Sequence, residues 1–79
     1  MRVRFYAVGR EITGVEELAL DVDSMQELRA VLLDRFDARM ARLLTIATML
    51  HNGVRRHAED VVAIAPGDTV DVLPPFAGG

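Results

Sequence analysis

Pro66-Gly67-Asp68-Thr69-Val70-Asp71-Val72-Leu73-Pro74-Pro75-Phe76-Ala77-Gly78-Gly79 closes the chain of 79 residues. Its opening suits a tight turn, with Pro66 and Gly67 at the two central positions. Thr69 to Leu73 then alternates polar and apolar side chains, the period of a strand. Pro74 and Pro75 end that strand, since neither has an N–H to give to a ladder. The two prolines favour an extended, polyproline-like path and bias Leu73 to the β region. Residues 76–79 add at most about 13–14 Å of reach. With Gly79 last in the sequence, a free α-carboxylate is expected there, and the absence of a Cβ at Gly78 and Gly79 predicts a thin tip.

Working back from this ending, the rest of the chain reads as an α+β domain. Residues 2–8 alternate, with Val3, Phe5 and Ala7 on one side and Arg2, Arg4 and Tyr6 on the other, so a strand with one buried face is expected. Gly9 and Gly14 bracket Arg10-Glu11-Ile12-Thr13, which reads as a polar turn. A second strand is expected over residues 16–22, where Leu18, Leu20 and Val22 alternate with Glu17, Ala19 and Asp21, and the two strands read as an antiparallel hairpin. Ser24, followed three residues on by Glu27, is a capping-box pair. Met25, Leu28, Val31, Leu32 and Phe36 then fall on one helical stripe, which predicts a helix over 25–36. Residues 40–45 fit either another helical turn or a loop.

Residues 46–51 read as a strand. Asn52-Gly53 is a hairpin signal, because a type I′ turn needs positive φ at both central positions. Val54 to His57 is the short return strand, and residues 60–65 are a connector with room for one helical turn. A helix laid on one face of a mixed sheet buries both apolar stripes. The element order fits the β-grasp, ubiquitin-like fold, with the first and last strands side by side at the sheet centre. That pairing sets Arg2 or Arg4 near Asp71, as a cross-strand ion pair. One domain, 1–79, is expected, with the tail at 74–79.

Composition narrows the function. The chain is 51% hydrophobic and 27% charged, and no apolar run approaches the roughly 18 residues of a membrane span. Met1-Arg2-Val3-Arg4-Phe5-Tyr6 does not read as a signal peptide, so a cytoplasmic protein with no membrane partner is expected. The net charge of −3 gives no reason to expect nucleic acid. There is no cysteine, hence no disulfide and no thiol to carry a thioester or persulfide. All nine basic residues are arginine. The tail of one copy therefore has no lysine on another copy to join, and only the Met1 amine is left.

Conventional sites are not evident. His51 and His57 flank the Asn-Gly turn, but two histidines without a third ligand make a poor metal site, and they read as surface residues of a hairpin. No Ser/His/Asp set has family-like spacing, and Gly9 and Gly14 do not follow a phosphate-binding loop. No metal and no bound cofactor are expected, and the chain does not read as a catalyst by itself. The tail is the seat of chemistry. Pro74 and Pro75 aim it, Phe76 is an apolar anchor for a partner, and the slim tip enters a partner's active site.

Phe5-Tyr6-Ala7-Val8-Gly9-Arg10-Glu11-Ile12-Thr13-Gly14 resembles the opening F-x-A-x-x-R-E-x-x-G of the MoaD/ThiS-like sulfur carriers. That opening leans toward the molybdopterin branch, and the ending, Gly67-Asp68 through Val70 to Pro74-Pro75 and Gly78-Gly79, is similar to that of sulfur carriers as a group. The resemblance spans nearly the whole chain and implies a role. An E1-like adenylyltransferase of the MoeB/ThiF type uses ATP and magnesium to adenylate Gly79, which then becomes a thiocarboxylate. The sulfur goes to molybdopterin within the large synthase subunit, of the MoaE type. Gly78, Ala77, Phe76, Pro75, Pro74 and Leu73 are the implied partner contacts. The same ending also serves carriers for thiamin thiazole, cysteine or tRNA thiolation, and ubiquitin-like protein modifiers.

Overall fold

The structure, a computed structural model, describes residues 1–75. Along them run β1 (Arg2–Phe5), α1 (Val8–Thr13), β2 (Glu17–Ala19), α2 (Met25–Arg35), α3 (Ala38–Ile46), β3 (Thr48–His51), β4 (Val54–Arg56) and β5 (Thr69–Leu73). The strands form one mixed sheet in the order β2-β1-β5-β3-β4. β1 and β5 are parallel, with Val3 opposite Val70 and Phe5 opposite Val72; the other pairings are antiparallel. This is the expected α+β, β-grasp arrangement, with the first and last strands adjacent at the centre.

Burial follows the strand period. Val3, Phe5, Met49, Val70 and Val72 are each at most 1% exposed, and they share one core with the fully buried Met25, Leu28 and Leu32 of α2 and Met40 of α3. The rings of Phe5 and Phe36 meet edge to face, 6.4 Å between centroids, a favoured aromatic geometry. α2 starts where the capping pattern puts it, with Ser24 Oγ accepting the Glu27 N–H at 3.1 Å. The Glu27 carboxylate accepts the N–H of Asp23 at 2.8 Å, one residue earlier than in a standard capping box. Residues 60–65 contain no helical turn. Their backbone instead bridges the entry to α2, with Met25 N–H on the Val62 carbonyl at 2.8 Å and Ile64 N–H on the Asp23 carbonyl at 2.9 Å. Asn52 at φ 50 and Gly53 at φ 84 make the expected type I′ turn.

Several expectations are corrected, the first being that the opening strand, expected over 2–8, ends at Phe5. Residues read as a polar turn form α1, closed by Gly14 at φ 77, whose N–H donates to the Arg10 carbonyl at 2.8 Å. Six residues make no stable helix in isolation. α1 forms because it packs on β1 and α3, with Gly9 buried against Phe5 and Leu43. The open segment 40–45 is the body of α3, which the Asp37 carboxylate caps by accepting the Arg39 N–H at 2.9 Å. Burial of Met40, Leu43 and Leu44 carries this helix to Ile46, so the strand expected from 46 starts at Thr48. The second strand likewise contracts to Glu17–Ala19. The helical layer thus holds α1 and α3 as well as α2, the longest helix.

The corner between β1 and α1 is strained. Gly9 N–H donates to the Tyr6 carbonyl at 3.0 Å, and Ala7, inside this turn, stands at φ 50 and ψ −121. Alanine in such a region costs about 1–3 kcal/mol. Ala7→Gly is therefore expected to stabilise the fold by about 1 kcal/mol after glycine's entropy is subtracted, a rise of about 4–8 °C in Tm for a domain this small. Thermal unfolding followed by circular dichroism checks it, and a fall in Tm would contradict the strain at Ala7.

Candidate functional site

β5 is the middle strand and ends at the tail. Val72 lies opposite Phe5 of β1, and Leu73 opposite Thr48 of β3. Leu73 and Pro74 are half-buried and Pro75 is exposed. Three of the expected site residues, Leu73, Pro74 and Pro75, are therefore consecutive at one end of a strand clamped on both sides. Phe76, Ala77, Gly78 and Gly79, expected as docking contacts and reactive tip, lie outside the described residues.

The sheet face away from the helices surrounds this root. Arg4 and Asp71 are register partners and form the expected ion pair, two-pronged, with Nε on Oδ1 at 2.6 Å and Nη2 on Oδ2 at 3.1 Å. The Tyr6 hydroxyl reaches Oδ1 of Asp71 at 3.4 Å. Hydrogen bonding to Asp71, and then its charge, raises the Arg4 guanidinium above its ordinary pKa. Arg2 pairs with Glu17 at 2.7 Å. On the other side of β5, Leu50 and Leu73 are half-buried diagonal neighbours across the β3–β5 ladder. The face is thus charged along β1 and β2 and partly apolar along β3 and the end of β5.

The two histidines do not come together. His57 is exposed beyond β4, as expected. His51 is not a surface residue: it is 9% exposed, and its Nε2 lies 2.7 Å from Asp68 Oδ2. A signal for this was present in the chain. His51 is two residues from Met49, so in a strand both point to the core face. Asp68 Oδ2 also accepts the Ala65 N–H at 2.8 Å. Asn52 N–H donates to the Thr69 carbonyl at 2.8 Å, and Thr69 N–H to Asn52 Oδ1 at 2.9 Å. Two turns are thereby stapled to the start of β5, the end opposite the tail. Among the described residues no three His, Cys, Asp or Glu side chains are grouped to hold a metal ion, and no helix is long and apolar enough to cross a membrane.

Hydrogen bonds from His51, then Asn52 and Ala65, hold the Asp68 carboxyl down at about 2, below its ordinary 3.8. A carboxyl depressed by folding contributes stability above its unfolded pKa and loses it as pH falls through the folded one. The contribution is therefore complete above pH 3.8 and fades toward pH 2. Asp68→Asn should melt below the wild type at neutral pH, with the two Tm curves converging as pH falls through that window. A gap that stays constant down to the lowest pH would show that the Asp68 charge is not what stabilises this corner.

No protein-family model matches this chain, and no curated protein matches it in sequence.

Proposed function

We propose that the chain is a ubiquitin-like sulfur carrier of molybdenum cofactor biosynthesis, a protein co-substrate whose Gly79 carboxylate is activated and sulfurated by partner enzymes. The observation that carries this reading is the tail Pro74-Pro75-Phe76-Ala77-Gly78-Gly79 issuing directly from β5, the strand held between β1 and β3. A tail rooted in the centre of a sheet has a fixed origin and starting direction, so a partner orders fewer degrees of freedom on gripping it. The resemblance at both ends of the chain adds support. So does the lack of any cysteine, which leaves the terminal carboxylate as the place for sulfur.

A carboxylate resists a sulfur nucleophile, and activation removes the obstacle. In the E1-like partner, a Gly79 oxygen attacks the α-phosphorus of ATP and pyrophosphate leaves. A hydrosulfide equivalent then attacks the acyl carbon and AMP leaves, so Gly79 ends as a thiocarboxylate. The acceptor, a large synthase subunit, receives the sulfur for its pyranopterin. The chain's own work is presentation. Pro74 and Pro75 aim the tail, Phe76 and Ala77 dock, and Gly78 keeps the passage narrow. Leu73 and Leu50 offer the partner an apolar edge, beside the charged Arg4–Asp71 pair. ATP and magnesium belong to the activating partner.

Incubation with an E1-like adenylyltransferase, ATP and a sulfur source should raise the intact mass by the exchange of one oxygen for sulfur. Removing Gly79, or adding one residue after it, should abolish the gain and leave the circular dichroism spectrum unchanged. Sulfuration of the extended chain would overturn the reading. The double variant Pro74→Gly/Pro75→Gly tests the aiming role. At about 0.4–1 kcal/mol per proline, it should weaken capture by the activating enzyme by about 1–2 kcal/mol, or roughly 5–30-fold. Unchanged affinity by calorimetry would remove the prolines from the mechanism.

A further inference from the structure

The hairpin turn Asn52-Gly53 carries chemistry that the proposed function does not use. An asparagine amide is open to attack by the next backbone nitrogen, and a glycine there adds no Cβ to crowd the approach. Asn52 and Gly53 are both exposed at the tip between β3 and β4. In a two-residue turn the ladder resumes at the flanking residues, here His51 and Val54, which leaves the Gly53 nitrogen outside it. The fold draws the Asn52 amide elsewhere. Thr69 N–H donates to Asn52 Oδ1 at 2.9 Å, and Asn52 N–H to the Thr69 carbonyl at 2.8 Å, so the side chain is tied toward β5. Gly53 leads the other way, into β4, which lies across β3 from β5. Asp68, next to Thr69, is fixed in turn by His51 at 2.7 Å and by the Ala65 N–H at 2.8 Å. The amide stays on Thr69 for as long as the start of β5 stays beside the turn.

We infer that Asn52 is a latent self-modification site, guarded by Thr69 and converted to aspartate and isoaspartate when the start of β5 leaves the hairpin turn. Once Oδ1 is released, the Gly53 nitrogen gives its proton to solvent base and attacks Cγ of Asn52. The N–Cγ bond forms, the Cγ–Nδ2 bond breaks, and Nδ2 leaves as ammonia with a proton from water. Water then opens the cyclic imide. Opening at the side-chain carbonyl restores the chain path with an aspartate at 52. Opening at the main-chain carbonyl routes the backbone through the side chain, as isoaspartate. Nothing is oxidised or reduced, and one water enters for each ammonia lost. The product does not fit the lock. A carboxylate at 52 lacks the amide donor that helps hold the Asp68 carboxyl low, and it sets a second negative charge near Asp68. Isoaspartate also adds a backbone atom to the turn that fixes His51 opposite Val54, and hairpin register depends on turn length. Conversion is therefore one-way and marks chains whose β5 has come loose. It depends neither on the tail nor on sulfur transfer.

The test compares the intact chain, Asp68→Ala, Asp68→Asn, Phe36→Ala and a synthetic peptide of residues 48–57 at one mildly alkaline pH. Each protein is held equally far below its own Tm, and its rate is divided by that of the peptide at the same temperature. Conversion is read as the mass gain of amide-to-acid exchange at Asn52 and as methyl transfer by an isoaspartyl methyltransferase. The peptide should convert fastest and the wild type slowest, with Asp68→Ala roughly 5–30-fold faster than wild type. Asp68→Asn should fall between wild type and Asp68→Ala, and it serves alone where the alanine variant does not fold. Phe36→Ala, which thins the core beside Phe5 at the other end of β5, should stay near the wild-type rate. A wild type as fast as the peptide would overturn the inference, since nothing would then guard Asn52. So would Asp68 variants no faster than wild type, or a Phe36→Ala rate equal to theirs, which would make global unfolding the gate. A peptide that stays unconverted would remove the chemistry itself. Asn52→Asp, made directly, should melt below the wild type at neutral pH, and an unchanged Tm would remove the one-way character.

Discussion

The parallel pairing of β1 with β5 is the contact on which the rest of the molecule depends. It joins residues as far apart in sequence as Arg4 and Asp71, separated by 67 positions. Its inward side chains, Val3, Phe5, Val70 and Val72, are at most 1% exposed and form the floor of the core. A parallel pair cannot be closed by a tight turn; it needs a crossover, and everything between the two strands supplies it. Contacts this distant in sequence also form late, after loop-closure entropy has been overcome. A directed tail therefore exists only in the folded chain. When β5 leaves the sheet, Pro74 and Pro75 still stiffen a local segment, but its origin and direction are lost.

The two ends of β5 are built differently. At the start, His51, Asp68, Ala65, Asn52 and Thr69 form a polar lock among two turns and a strand. At the other end the ladder stops at two residues without an N–H. Side-chain hydrogen bonds gather at the start of the strand, where Asp68 and Asn52 tie both turns together. The Arg4–Asp71 pair sits between these ends on the open face, where its side chains remain 46% and 17% exposed. Its value there is mainly in register and in the surface it presents, since exposed ion pairs add little to stability.

Much of this was legible in the chain, because the signals were local. Asn52-Gly53 announces its turn, Ser24 and Glu27 announce the entry to α2, and Pro74-Pro75 announces the end of β5. The Arg4–Asp71 pair followed from the fold order once β1 and β5 were set together. What was not legible depended on contacts distant in sequence. Gly9 and Gly14 read as punctuation, yet Gly9 lies inside a helix that exists only because Phe5 and Leu43 receive it. α3 was ambiguous because its apolar positions gain meaning only against the sheet. His51 looked exposed beside a hairpin turn, and its partner Asp68 becomes a neighbour only through the β3–β5 register, which sets His51 opposite Val70. The chain identified Leu73, Pro74 and Pro75 but not the groove of Val8, Ile12, Leu43 and Ile46 between α1 and α3, which needs both short helices in place.

The strained Ala7 and two exposed apolar side chains, Val8 and Ile46, lie at the end of the sheet where β5 stops, while Val54 and Val61 are exposed elsewhere. Ala7 at φ 50 and ψ −121 turns the chain from β1 directly into α1. That turn drops Val8 beside α3, at the point where the chain leaves β5. A positive-φ alanine persists only where the surrounding structure over-determines it, whereas single exposed valines and isoleucines are ordinary. Here the strained corner leads into α1, one wall of the groove lined by Val8, Ile12, Arg39, Arg42, Leu43 and Ile46, and α3 builds the other. The strain at Ala7 is stored at the end of the sheet where β5 stops rather than at the end locked by His51 and Asp68.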